Sequence, residues 1–389
     1  MSFHIPYGRQ DIDDEDIQAV IDVLNSDFLT QGPVINAFET AIGSYVGAQY
    51  AVACNSATSA LHLACLALGV GSGDRVWTSA ITFVASANCA LYCGAQVDFV
   101  DIDLATYNMS IEALTEKLAI AKRSGSLPKV LIPVHMAGQS CDMKAIYVLS
   151  QEYGFKVIED ASHAIGGRYG DAPIGSCKFS NITVFSFHPV KIITTGEGGM
   201  AVTNNSILAE KMNLLRSHGI TRDPMQMQSK SDGPWYYEQI DLGFNYRMTD
   251  IQAALGLTQS KKIESYVVRR NEIAERYKPT LRDLPIGLPT ILEGNYSAFH
   301  LFIILLSAAT TKSRHLEVFS QLREAGIGVN IHYIPVYLQP YYQKKGFKKG
   351  YCPNAEEYYS RAISLPIFAN LSIEHQDYVS SKLGEILSS

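Results

Sequence analysis

The chain has 389 residues, 47% of them apolar, and 38 acidic side chains against 32 Lys and Arg give it a formal charge of -6. This composition suits a soluble α/β protein with a large core and excludes a disordered or fibrous chain. The acidic balance removes any electrostatic case for nucleic acid or an anionic membrane as a partner.

Seven cysteines, an odd number without repeated metal-ligand spacing, read as reduced small hydrophobes, Cys89 and Cys93 among them, and no metal is expected. Near Met1 no positively charged stretch leads into an apolar run. No segment approaches the roughly 20 apolar residues that span a bilayer, so the expected location is the cytoplasm.

In chain order, an extended arm precedes a helix predicted over residues 13–25, whose acidic start suits the positive end of a helix. A second helix is predicted over residues 34–46, with apolar residues spaced for one buried face. From Ala51 short apolar runs alternate with helical stretches. Strands are predicted at residues 51–54, 75–78, 96–100, 129–133, 156–158, 182–185 and 199–202, and helices at 57–68, 83–93, 141–153 and 207–216. Valine- and isoleucine-rich strands alternating with helices specify a mixed, mostly parallel sheet covered on both faces. Such a sheet places ligands beyond the carboxyl ends of its strands.

Residues 221–238, polar and without periodicity, read as a long loop of the functional or mobile kind. A helix follows over residues 250–260 and continues, with a break, to 277. Apolar runs at 299–306 and 329–331 and helices near 314–325 and 355–361 complete a smaller α/β unit. The predicted division is a large domain of residues 1–259, arm included, and a small carboxyl-terminal domain of residues 260–389.

Six phrases carry the chemistry. In SFHPVKIITTGEGGM, Lys191 follows a predicted strand and precedes a glycine-rich turn, at the sheet rim where a small ligand sits. Desolvation or a nearby cation there lowers an amine pKa toward the neutral, nucleophilic form. VIEDASHAIG ends another strand with Glu159 and Asp160 at its rim. Like charges oppose joint ionisation of a buried pair, so Glu159 is expected to turn away. CNSATSALHLACLALG reads as a strand-to-helix junction. Free backbone N–H groups at its helix start, helped by a short hydroxyl, make a phosphate seat of Ser56, Ala57 and Thr58. TSAITFVASANCALYCGA, LGFNYRMTDIQAALGL and VNIHYIPVYLQPYY supply Phe83, Asn245 with Arg247, and His332 with Tyr333.

Together these phrases resemble the sugar aminotransferases of the DegT, DnrJ and EryC1 group, within the type I aspartate-aminotransferase fold, and the resemblance runs over nearly the whole chain. It implies that pyridoxal 5'-phosphate is the cofactor, with Lys191 as its covalent anchor and Asp160 as the acidic partner of its ring nitrogen. Ser186 matches a phosphate contact, Ser56, Ala57 and Thr58 match the phosphate loop, and Phe83 matches an aromatic residue stacked on the ring. His163 stands where many relatives have glutamine and would reach the phenolic oxygen. Asn245 matches a residue that reaches the phosphate from the other subunit, which implies a homodimer with shared sites. Arg247 would meet an interface acid or the donor carboxylate, and His332 and Tyr333 would lie near the substrate.

Within the group, the wording from residue 329 onward looks most like the pseudaminic-acid branch. That likeness implies transfer of an amino group from L-glutamate to C4 of a UDP-linked 4-keto-6-deoxy-2-acetamido-L-hexose, with Lys191 moving the protons. The alternatives are the epimeric D-sugar, amination at C3, or a non-catalytic cofactor-binding protein.

Overall fold

In a computed structural model, which describes residues 4–388, the chain forms a large three-layer unit and a smaller unit that closes over one edge of it. Two helices open the chain, α1 (Asp14–Leu24) and α2 (Pro33–Val46). Asp13 and Asp16 cap α1 reciprocally, each side chain accepting from the other's backbone N–H at 3.1 Å. The buried Asp16 also accepts from Thr258, Gln259 and Lys262 at 2.6 to 2.9 Å, which ties α1 to the later helices α8 (Asp250–Ser260) and α9 (Ile263–Leu281).

The main sheet has seven strands: β1 (Tyr50–Cys54), β2 (Arg75–Ser79), β3 (Gln96–Val100), β4 (Val130–Ile132), β5 (Lys156–Asp160), β6 (Ile182–Ser186) and β7 (Gly199–Thr203). Their spatial order is β1-β7-β6-β5-β4-β2-β3. Only β7 runs against its neighbours, pairing antiparallel with both β1 and β6. The carboxyl ends of the other six strands and the first residue of β7 therefore share one edge. Between strands lie α3 (Ala57–Ala67), α4 (Ala85–Tyr92), α5 (Ile111–Ser124) and α6 (Met143–Tyr153), and α7 (Ser206–Arg216) follows β7. Val52, Ile158 and Val184 pack beneath α3 and α4, while Ala53, Phe185 and Val202 pack under α2 and α8 on the other face, so strand residues alternate between two buried layers.

The smaller unit has an antiparallel sheet of β8 (Ile286–Gly287), β9 (Phe302–Leu306) and β10 (Ala362–Leu365), with α10 (Lys312–Glu324), α11 (Pro340–Gln343), α12 (Pro353–Arg361) and α13 (Ile373–Ser388). On β9, Phe302, Ile304 and Leu306 join the core of this unit, whereas Ile303 and Leu305 pack toward the large one. The two cores meet inside α9: Ile263 and Val267 belong with α2, and Ile273, Tyr277 and Leu281 with β9 and α13. Ile5 of the arm packs in the small core and exchanges hydrogen bonds with the backbone of Gly326 and Gly328.

Two differences from the sequence reading stand out. Helix α5, capped by Ser110 and closed by a left-handed Gly125, fills a stretch left without an element, and α13 and β10 extend the tail. Residues 329–331 form no strand, only a single bridge between Asn330 and Ser364. Residues 221–238 are irregular, as the sequence reading has them, and are closed at the base by a two-residue pairing of Ile220–Thr221 with Glu238–Gln239.

Candidate active site

A cavity of about 830 Å³ opens at the shared edge of the sheet, between the strand ends and the segment around residue 332. Asp160, the last residue of β5, stands in its wall and is buried. Three donors fix its carboxylate. Ser86 of α4 donates to Oδ2 at 2.6 Å, and Ser162 donates to Oδ1 through its hydroxyl at 2.6 Å and its N–H at 3.1 Å. An ionised carboxylate has about four acceptor positions. One therefore remains for whatever enters the cavity.

Glu159 is also buried, against the expectation that the two neighbouring acids would not both be. Alternation along β5 sends it to the opposite face, where it accepts from His135 Nε2 at 2.7 Å, from Thr183 at 3.0 Å and from Ser180. Cys141 N–H donates to His135 Nδ1, so the imidazole proton lies on Nε2, toward Glu159. Opposite faces and separate donors remove the like-charge conflict.

Lys191 follows β6 across a short turn in which its N–H donates to the carbonyl of His188. Burial disfavours its ammonium form more than Asp160 favours it, and the amine is drawn down to about 8. Ser186, at the end of β6, lines the same cavity.

The third side is the start of α3. Ser56 caps the helix, its Oγ accepting from Ser59 N–H at 3.1 Å, and Ala57 and Thr58 follow in the first turn, whose N–H groups have no acceptor within a helix. Gly199 opens β7 directly against this turn: a Cβ there would lie 2.3 Å from Ala57 N. The glycine thus lets the strand backbone close on the helix end and brings its N–H groups to the cavity.

Facing these groups is a wall of rings. His163 Nε2 meets the Tyr333 hydroxyl at 3.1 Å, and the two rings are stacked at 6.0 Å. His300 lies 4.4 Å from His163, centroid to centroid, and Tyr7 lies 5.3 Å from His332. His332 Nδ1 is held by Ser364 at 2.8 Å. Burial first, and then the positive charge of Lys191, push His163 well below the usual imidazole range and His332 to about 3. These two imidazoles are neutral hydrogen-bonding groups at physiological pH. Phe83 is 59% exposed, so it is not packing α4 onto the sheet; its ring stands over the cavity, 6.2 Å from Tyr333.

The fold therefore brings Ser56, Ala57, Thr58, Phe83, Asp160, His163, Ser186, Lys191, His332 and Tyr333 to one cavity. It does not bring Asn245 or Arg247 there. Asn245 is exposed and accepts from Asn55 Nδ2 through its carbonyl at 3.3 Å, and Arg247 reaches Ser217 Oγ at 3.2 Å. Sequence reasoning missed Ser86, Ser162, Tyr7 and His300. Ser162 had a local signal, since Asp-x-Ser is the pattern of an aspartate that accepts from its own chain two residues on. The other three arrive from distant segments.

A profile of the DegT/DnrJ/EryC1/StrS aminotransferase family matches residues 10–384. The chain is 37% identical over 385 residues to the UDP-4-amino-4,6-dideoxy-N-acetyl-beta-L-altrosamine transaminase of Campylobacter jejuni, covering 98% of this chain and 97% of that protein. Its fold superposes on Helicobacter pylori PseC, described as an aminotransferase involved in the biosynthesis of pseudoaminic acid, with a TM-score of 0.90, 33% identity and 99% of each chain covered. It also superposes on the PLP-form of the putative sugar aminotransferase Spr1654 from Streptococcus pneumoniae, with a TM-score of 0.89, 29% identity and 99% of each chain covered.

Proposed function

The chain belongs to the DegT/DnrJ/EryC1/StrS aminotransferase family, and from that premise we propose that it moves the amino group of L-glutamate, through pyridoxal 5'-phosphate, to C4 of a UDP-linked 4-keto-6-deoxy-2-acetamido-L-hexose. The observation that carries the reading is the meeting in one cavity of an amine poised near pH 8, a carboxylate with one open acceptor position and a helix start with free N–H groups. The sugar and the position come from the relatives, chiefly the Campylobacter transaminase, whose name specifies them for that enzyme.

The residues fit the cofactor group by group. Ala57 and Thr58 N–H with the Ser56 and Ser186 hydroxyls suit a phosphate, Phe83 offers a face for a flat ring, and Asp160 offers an acceptor for a protonated ring nitrogen. Lys191 is the amine that would anchor the carbonyl. Bound there, pyridoxal phosphate supplies an electron sink for the carbon that loses its proton.

Lys191 then has a second task. Displaced by glutamate, its neutral Nζ accepts the proton from the donor's α-carbon and later delivers one to C4 of the sugar, and its closeness to both atoms matters as much as its pKa. Asp160, oriented by Ser86 and Ser162, keeps the ring nitrogen protonated in both halves. The neutral His163 donates or accepts a hydrogen bond near the phenolic oxygen without competing for the proton on Lys191. His332 and Tyr333 shape the sugar side.

On this reading the enzyme is a cytoplasmic homodimer with two shared sites. Asn245, exposed and outside its own cavity, reaches the phosphate held by the other subunit, and Arg247 beside it meets an interface acid or the glutamate carboxylate. Adding glutamate to the cofactor-loaded protein without any sugar tests the reading. Loss of the visible absorbance of the lysine-bound cofactor, with one 2-oxoglutarate per site, is expected; persistent absorbance and no oxoacid would overturn it.

A further inference from the structure

Outside the catalytic cavity, three of the seven cysteines meet where α3 packs on α4. Cys65 lies on α3 one turn after His62, and Cys89 and Cys93, one turn apart, lie at the end of α4. The Cys65 and Cys89 sulfurs stand 3.7 Å apart, and Cys65 is within hydrogen-bonding reach of Cys93 as well. Cys65 and Cys89 are fully buried, whereas Cys93, the residue that ends the helix, is partly exposed. His62 completes the cluster. Its ring packs against Tyr92, Phe244 and Tyr246 at 4.9 to 5.9 Å, its Nδ1 meets the Tyr246 hydroxyl at 3.2 Å, and its buried Nε2 completes no hydrogen bond.

We propose that Cys93 is a site of reversible oxidation by hydroperoxides, with Cys65 as the thiol that resolves it to a disulfide. The thiolate is the nucleophile in this chemistry, so the reactive cysteine must be both accessible and easily ionised. Cys93 alone of the three reaches solvent. Donation from the Cys65 thiol, and then the neighbouring His62, outweigh burial and hold Cys93 below the usual thiol range, while Cys65 is pushed well above it. The tautomer of His62 that donates from Nδ1 to the tyrosine oxygen leaves Nε2 as a base for a thiol proton. The Cys93 sulfur attacks one oxygen of the peroxide, the O–O bond breaks, and water leaves behind a sulfenic acid on Cys93. The Cys65 sulfur then attacks that sulfur, the S–O bond breaks, and the Cys65 proton departs with the hydroxyl as a second water. The pair of thiols is oxidised by two electrons and the peroxide is reduced by two. Cys89 takes no part, since it is fully buried and its Sγ donates to the Ser86 carbonyl at 3.3 Å.

Non-reducing peptide mapping of the cofactor-loaded enzyme after brief treatment with hydrogen peroxide tests the assignment. A cross-link between Cys65 and Cys93 that dithiothreitol reverses is expected, and it should form equally in Cys89→Ala. In Cys65→Ser the reaction should stop at a sulfenic acid on Cys93, trapped by dimedone, and in Cys93→Ser, Cys65 should stay reduced at the same dose. Iodoacetamide should label Cys93 with a pH midpoint below about 8.5, the ordinary thiol value, and His62→Phe should move that midpoint upward. Another cysteine oxidised or labelled first in the parent enzyme would overturn the proposal. So would a Cys93 that stays reduced at a dose that oxidises free glutathione, or a sulfenic acid that persists on Cys93 beside a reduced Cys65.

Discussion

Ser86→Ala isolates the support of Asp160 without touching the groups assigned to bond making. Ser86 is fully buried on α4, and its hydroxyl receives a bond from Thr82 Oγ1 at 2.7 Å while donating to Asp160 Oδ2 at 2.6 Å. A hydrogen bond to a charged group contributes about 1.5–3 kcal/mol. The two Ser162 bonds remain on Oδ1, so the carboxylate keeps part of its orientation and the lower figure applies. At 1.36 kcal/mol per decade, about 1.5 kcal/mol is roughly a tenfold loss of kcat/KM. On the proposed reading Asp160 serves both halves of the reaction, so single-turnover rates with glutamate and with the keto sugar should fall together. The orphaned Thr82 hydroxyl should also destabilise the fold by about 1 kcal/mol. Unchanged rates in both halves, with only the stability loss, would refute the reasoning, because Ser86 would then merely pack α4.

Further predictions follow from the same geometry. Capture of pyridoxal phosphate by the apoprotein needs neutral Lys191, and the amine sits at about 8, below the usual 10.5. The stopped-flow capture rate should therefore rise with pH and level off above about 8; a rise that continues past pH 10 contradicts the desolvated lysine. Gly199→Ala places a Cβ 2.3 Å from Ala57 N, so β7 and α3 must part and the phosphate loses its seat. Cofactor affinity, read by fluorescence titration, should drop roughly tenfold or more. Glu159→Ala leaves the buried His135 Nε2 and the Ser180 and Thr183 hydroxyls without their acceptor. Urea unfolding should show a loss of about 1–3 kcal/mol for the donors left unsatisfied, and a loss under 1 kcal/mol would mean that the network does not hold this face of the sheet.

The large sheet was legible because its strands are apolar, short and punctuated, and four of the seven continue only one or two residues past where periodicity ends them. Lys191, Asp160 and Ser56 were legible for a related reason: each stands where a strand runs out, and in a sheet with parallel strands those points converge. Ser86, Tyr7 and His300 were not. Each reaches the cavity only through pairings between segments far apart in sequence, such as the 74 residues between Ser86 and Asp160. Helix α5 was overlooked although Ser110 and Gly125 are its caps, because its apolar stripe of Leu114, Leu118 and Ala121 is narrow and set among charges. Joint burial of Glu159 and Asp160 could not be read locally either, since the partner that makes it tolerable, His135, follows β4.

The central claim, that Lys191 moves the protons as an amino group passes from glutamate to a nucleotide-linked keto sugar, is tested most directly with nitrogen-labelled glutamate and the UDP-linked 4-keto-6-deoxy-2-acetamido-L-hexose, following the label by NMR in the parent enzyme and in Lys191→Ala. The account predicts label on C4 of the L-sugar with the parent, slower transfer to the D-epimer and none with the variant. Label that stays on glutamate, or a Lys191→Ala variant that transfers it as fast as the parent, would contradict it.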